Sequence, residues 1–180
     1  MSIIPYQTGH SERRNKRLLL AFVILVIVGS STALAVAALL APEKNEVRIL
    51  PDMGHRHVQT RLASEAYLTR PPTSGPHIPE EANWGEHAAT LSDSAQLHAL
   101  EQGGVILHYN CPDGCPETLD ALRSILNDAG ADRIILHPYT NMDHRIAVTA
   151  WTRLLALDDV DRDLIMNFIE DYRGIDHGEE

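Results

Sequence analysis

Apolar and polar positions divide the chain into one unbroken apolar stretch near its start and a series of short periodic segments after it. Residues 18–41 carry no charge, and their only polar side chains are Ser30, Ser31 and Thr32. A helix of that length rises about 36 Å, enough to cross a hydrocarbon core of about 30 Å. Periodicity returns at Ser92 or Asp93, either of which caps a helix running to Glu101, with Leu97 and Leu100 on its apolar side and Gly103 beyond its end. Val105 to Tyr109 is compact and β-branched at its start, and predicts a strand. Pro116 suits a first helical position, and Leu119, Leu122, Ile125, Leu126 and Ala129 share one helical face up to Gly130. Residues 133–138 and 146–151 read as two more strands. Val160, Leu164, Ile165, Phe168, Ile169 and Tyr172 form the apolar face of a last helix, which Gly174 stops.

This order predicts an α/β or α+β domain with a small sheet, preceded by a transmembrane helix. Residues 105–138 have the make-up of a right-handed βαβ unit. The stretch from Met53 to Glu86 is different: it is rich in Pro, Gly and His and shows little period. Within it, Pro71-Pro72-Thr73-Ser74-Gly75-Pro76 excludes both a regular helix and a central strand, and predicts an ordered, extended loop.

Charge orients the apolar stretch. Arg13, Arg14, Lys16 and Arg17 stand directly before it, a cluster expected to remain cytoplasmic, so that everything after Pro42 is exported. Ala35-Val36-Ala37 resembles a signal-peptidase site, but a signal core runs only about 7–15 apolar residues, so the length favours an anchor. The expected layout is a basic tail (1–17), a membrane helix (18–41), a stalk (42–53) and an exported globular domain (54–180). Of 15 basic and 25 acidic residues, the tail holds four basic residues and Glu12. The strongly acidic remainder argues against nucleic acid as a partner and leaves the membrane and other proteins.

Chemistry concentrates in cysteine and histidine. Cys111 and Cys115 are the only two cysteines, and outside the cytoplasm such a pair is a disulfide, a redox couple or a soft-metal site. Ten histidines occur, eight of them between His55 and His144. His55 and His57 point to one side of an extended segment, His77 ends the proline-rich loop, and His98 shares a helical face with Glu101. Converging imidazoles suit copper or zinc. Ser74 near His77 makes no nucleophile elbow, and Asp158, Asp159, Asp161 and Asp163 lack the calcium-loop pattern. No catalytic residue stands out, and a binding protein is favoured over an enzyme.

Two resemblances sharpen this. Cys111-Pro112-Asp113-Gly114-Cys115-Pro116 is similar to the CPxxCP loop of the Sco family of copper chaperones, which implies a copper site built from both cysteines and a distant histidine. More broadly, Gly54-His55-Arg56-His57, Pro71 to His77, His98 to Val105 and Ala150-Trp151-Thr152-Arg153 resemble a bacterial membrane-anchored family catalogued as domain of unknown function 3105. That resemblance implies the layout without an activity. The chain departs from the family at Gln102, where a histidine is usual, and at Thr152, where a glycine is usual. The leading expectation is therefore an extracytoplasmic domain binding copper or zinc for delivery or storage, through Cys111, Cys115, His77, His98, His55 and His57. The alternative is a non-catalytic envelope protein that assembles a membrane complex and uses the cysteines as a structural disulfide.

Overall fold

A computed structural model describes residues 46–178, which fold around one mixed sheet. Its elements are β1 (Arg48–Ile49), a 3-10 turn (Ser64–Ala66), β2 (Gly85–Glu86), α1 (Asp93–Glu101), β3 (Val105–Tyr109), α2 (Pro116–Ala129), β4 (Ile134–Pro138), β5 (Ile146–Ala150), β6 (Arg153–Leu157) and α3 (Arg162–Tyr172). The strand order is β1-β6-β5-β3-β4-β2. β3, β4 and β2 run parallel, whereas β5, β6 and β1 are joined by antiparallel pairings. Sheet and helices together make the α+β arrangement expected. The expected tail, span and first part of the stalk (residues 1–45) lie outside the described residues. Among those described, no helix is long and apolar enough to cross a membrane.

The helix ends follow local chemistry. Ser92 Oγ accepts from the Ala95 amide at 3.1 Å and starts α1, while Asp161 does the same for Leu164 and starts α3. Gly130 ends α2 at φ 76°.

Alternation along the strands sorts the core into two faces. Val105, Leu107, Ile134, Leu136, Ile146 and Val148 face α2 and α3, meeting Leu122, Ile125, Leu126, Ile165, Phe168 and Ile169. Ile106 and Ile135 face the other way, onto Leu97 and Leu100 of α1 and onto Tyr67 and Trp151. Each fully buried Leu or Ile contributes on the order of 2 kcal/mol, so both layers are held by apolar burial. α1 is buried on nearly every side, because the proline-rich segment covers the flank that the sheet leaves.

Two parts of the chain differ from the sequence expectation. Residues 153–157 form a sixth strand, returning from β5 through Trp151 and Thr152 with Ala150 opposite Arg153. Thr152 sits at φ 60°, a left-handed position for which glycine is the usual choice, so the turn carries no glycine signal. The described part of the expected stalk lies on the domain: Arg48 and Ile49 pair with β6, and the Leu50 amide donates to the Thr152 carbonyl at 2.9 Å.

Candidate metal centre

Three segments without regular structure of their own converge on the C-terminal end of α1. His57 and His77 are brought side by side by a short parallel bridge. In it the Val58 amide donates to the His77 carbonyl at 2.9 Å, and the His77 amide to the Arg56 carbonyl at 3.2 Å. The loop before His77 is pinned from several directions. Thr152 N–H donates to Thr73 O at 2.9 Å, Met53 N–H to Ser74 Oγ at 3.1 Å, and Tyr67 O–H to Pro76 O at 3.0 Å. Ser74 is thereby a structural clasp.

From α1, one turn apart, come His98 and Glu101. The result is a cluster of His57, His77, His98 and Glu101 whose ligand atoms all lie within 4.8 Å of one another. Glu101 Oε2 is its centre, at 3.2 Å from His57 Nε2, 3.1 Å from His77 Nε2 and 3.2 Å from His98 Nδ1. His77 Nε2 and His98 Nδ1 are 3.4 Å apart. Ligand separations around a tetrahedral ion with bonds of about 2.0–2.1 Å are about 3.3 Å, close to these four distances, so the group is able to hold an ion.

Outer contacts set which nitrogen of each ring is offered. His77 Nδ1 lies 2.9 Å from the Gly75 carbonyl, an acceptor only, so Nδ1 carries the proton and Nε2 presents its lone pair to the cluster. On the far side of His98, Nε2 lies 3.2 Å from Glu81 Oε1, a carboxylate–histidine contact that turns Nδ1 inward. His55 Nδ1 approaches the other oxygen of Glu101, Oε1, at 3.3 Å.

Electrostatics leave the centre in conflict with itself. Burial lowers the His77 pKa, outweighing the Gly75 hydrogen bond and the Glu101 charge, and keeps the ring neutral. Burial works to raise the Glu101 carboxyl, but the hydrogen bond from His57 and the imidazoles gathered around it hold it below its ordinary value. A carboxylate thus faces a neutral imidazole, lone pair to lone pair.

Tight backbone approach fixes the far end. A Cβ on Gly104 would stand 2.6 Å from the Ala99 carbonyl and 2.8 Å from the Trp84 ring. The C-terminal segment closes over the helix end: Gly174 N–H donates to Gly103 O and His177 N–H to Glu101 O, both at 2.8 Å, and the His177 ring stacks on Trp151.

These contacts gather the sequence motifs at one place. The chain matches the family described as Protein of unknown function (DUF3105) over residues 57–180. It belongs to that family. No curated protein and no solved structure matches it. In this DUF3105 chain Gln102 sits just outside the cluster, with its Nε2 3.2 Å from His98 Nε2.

Of the residues expected to bind metal, His57, His77 and His98 are brought together, and His55 touches the same carboxylate without joining the four. Cys111 and Cys115 are elsewhere and bonded to each other, closing the turn between β3 and α2 with Cα atoms 5.6 Å apart. They lie beyond the end of β3 opposite to α1, and a disulfide sulfur offers no thiolate. Thiolate ligation beside the histidines is therefore replaced by a cluster of nitrogen and carboxylate donors. Glu101, absent from the expected ligands, is the residue that sequence reasoning missed. Its spacing of three from His98 was the available signal.

Proposed function

We propose that this chain is a membrane-anchored, extracytoplasmic metal-binding protein that holds one divalent first-row ion between His57, His77, His98 and Glu101. One observation carries the reading: a single carboxylate oxygen has three imidazole nitrogens at 3.1–3.2 Å. An oxygen has two lone pairs for hydrogen bonds, so as a hydrogen-bond network the site is over-subscribed. As a coordination shell, four of its six separations are close to tetrahedral, and all lie within 4.8 Å. A cation also removes the conflict between Glu101 and the neutral His77.

The donor set of three imidazoles and a carboxylate, without thiolate, suits copper(II) or zinc(II) better than copper(I). Four protein ligands fill a tetrahedral shell, whereas a catalytic zinc site keeps one position open, which favours binding, storage or delivery over catalysis. The apolar stretch at residues 18–41 with the basic cluster before it, and the disulfide, support a place on the extracytoplasmic side of the membrane.

Copper and zinc per chain, measured by elemental analysis on the purified full chain after loading and desalting, test this. About one ion per chain, lost in His77→Gln and retained in a Cys111→Ser, Cys115→Ser chain, is expected. No bound ion, or equal binding by His77→Gln, overturns it. The disulfide favours a second reading, an envelope protein that scaffolds a membrane complex, and that reading stands if no metal binds.

A further inference from the structure

The four ligands are unequally exposed. His77, His98 and Glu101 side chains retain 0%, 10% and 5% of their accessible surface, whereas His57 retains 47% and the adjacent His55 37%. Solvent therefore reaches the cluster from the side of the Gly54–His57 segment. Its first residue, Gly54, has nothing within 4 Å of the position of a Cβ.

Glu101 spans the boundary between inside and outside. Oε2 points to the three imidazoles, and Oε1 to His55 Nδ1 at 3.3 Å. His55 and Oε1 together form a second, outer pair of donors on the same carboxylate. We propose that His55 and Glu101 Oε1 form the entry position of the site, where a hydrated divalent ion lands before it passes to Oε2 and the three histidines; this rests on the metal-binding reading above.

A hydrated ion cannot exchange all its waters for buried ligands in one step. At the outer pair it keeps water on its remaining positions. A small rotation of the carboxylate then exchanges Oε1 for Oε2, and His57, which belongs to both the exposed lip and the inner shell, takes the ion next. Release follows the same steps in reverse. A residue that lowers only this barrier changes both rates equally and leaves the equilibrium constant alone, which separates it from a resident ligand.

The experiment uses zinc(II) and the full chain, with His55→Ala and His55→Gln variants. Uptake is followed by stopped flow and release by a colorimetric chelator, and the cobalt(II) absorption spectrum reports the inner shell. Both variants are expected to bind one zinc with a Kd within about threefold of the parent and an unchanged cobalt spectrum. Uptake and release both slow by about tenfold or more. Unchanged rates overturn the entry role while leaving the site intact. A weakened Kd with an altered cobalt spectrum also overturns it, by making His55 a resident ligand. A parent chain that binds neither zinc nor copper(II) overturns both the entry role and the site.

Discussion

His77 and Glu101 meet as two acceptors: His77 Nε2 lies 3.1 Å from Glu101 Oε2 while its Nδ1 is engaged by the Gly75 carbonyl at 2.9 Å. Such a contact is unfavourable in the apo chain and favourable around a cation, so affinity for metal and apo stability oppose each other here. Glu101→Gln separates them. An amide N–H can donate to the imidazole lone pair, and the buried charge disappears. The amide relieves the His77 contact but gives up the His57 interactions that hold the Glu101 carboxyl below its ordinary value, so the apo variant is expected to stay within about 1 kcal/mol of the parent in urea melts with chelator present. Zinc affinity falls by roughly 100-fold or more, since a carboxylate that would touch the ion matters at least as much as a group that only orients a ligand. An apo variant destabilised well beyond that would remove the conflict on which this rests.

Gly104 ties the helix end to the sheet. A methyl group there meets the Ala99 carbonyl at 2.6 Å and the Trp84 ring at 2.8 Å, and the carbonyl cannot yield without moving the last turn of α1. Gly104→Ala is expected to cost about 2 kcal/mol and, because Glu101 rides on that turn, to weaken zinc binding. Gly114 at φ 83° has open space around it, so Gly114→Ala carries only the backbone strain of about 1 kcal/mol and leaves metal binding unchanged. Denaturant melts and zinc titrations of the two variants should therefore separate.

The cysteines close a very short loop, four residues apart in sequence. Loop-closure entropy for so few residues gives a stabilisation of about 2 kcal/mol. Replacing both by serine is expected to lower stability by about that amount while metal stoichiometry and affinity stay at the parent values. Loss of the ion on this substitution would return the cysteines to the site.

The regular elements were legible because their signals are local. Ser92 caps α1, Pro116 opens α2, and the strand at Val105–Tyr109 has the bounds its composition predicts. β6 was not, because Arg153–Leu157 does not alternate cleanly and the turn before it uses Trp151 and Thr152 instead of glycine or asparagine. In the site, the His98–Glu101 pair follows from helical spacing. The meeting of His57 with His77 does not, since they are twenty residues apart across a segment with no period, and only the tertiary bridge sets their register. The spacing of the cysteine pair is visible in one dimension, while the histidine and glutamate cluster converges only in three.

A second histidine pair predicts how stability depends on pH. His108 and His137 are opposite each other on β3 and β4, both fully buried, with ring centroids 4.8 Å apart. His108 Nε2 lies 2.8 Å from Thr149 Oγ1, and His137 Nδ1 accepts the Leu91 amide at 3.2 Å. Burial, reinforced by His87, pushes the His137 pKa down to about 4, and burial together with His137 pushes His108 well below its ordinary value. Both rings are therefore neutral in the fold and take up protons on unfolding. The unfolded chain binds more protons below its own histidine pKa of about 6.5, so stability is full above that pH and is lost as pH falls toward 4. For His137 alone the loss approaches about 3 kcal/mol at the low end of that window. Urea melts with chelator at pH 7.5 and at about pH 4.5 should show it, and a His108→Gln, His137→Asn chain, which keeps acceptors near Thr149 and Leu91, should show a flatter profile. Parallel losses in parent and variant would place the acid sensitivity in other groups.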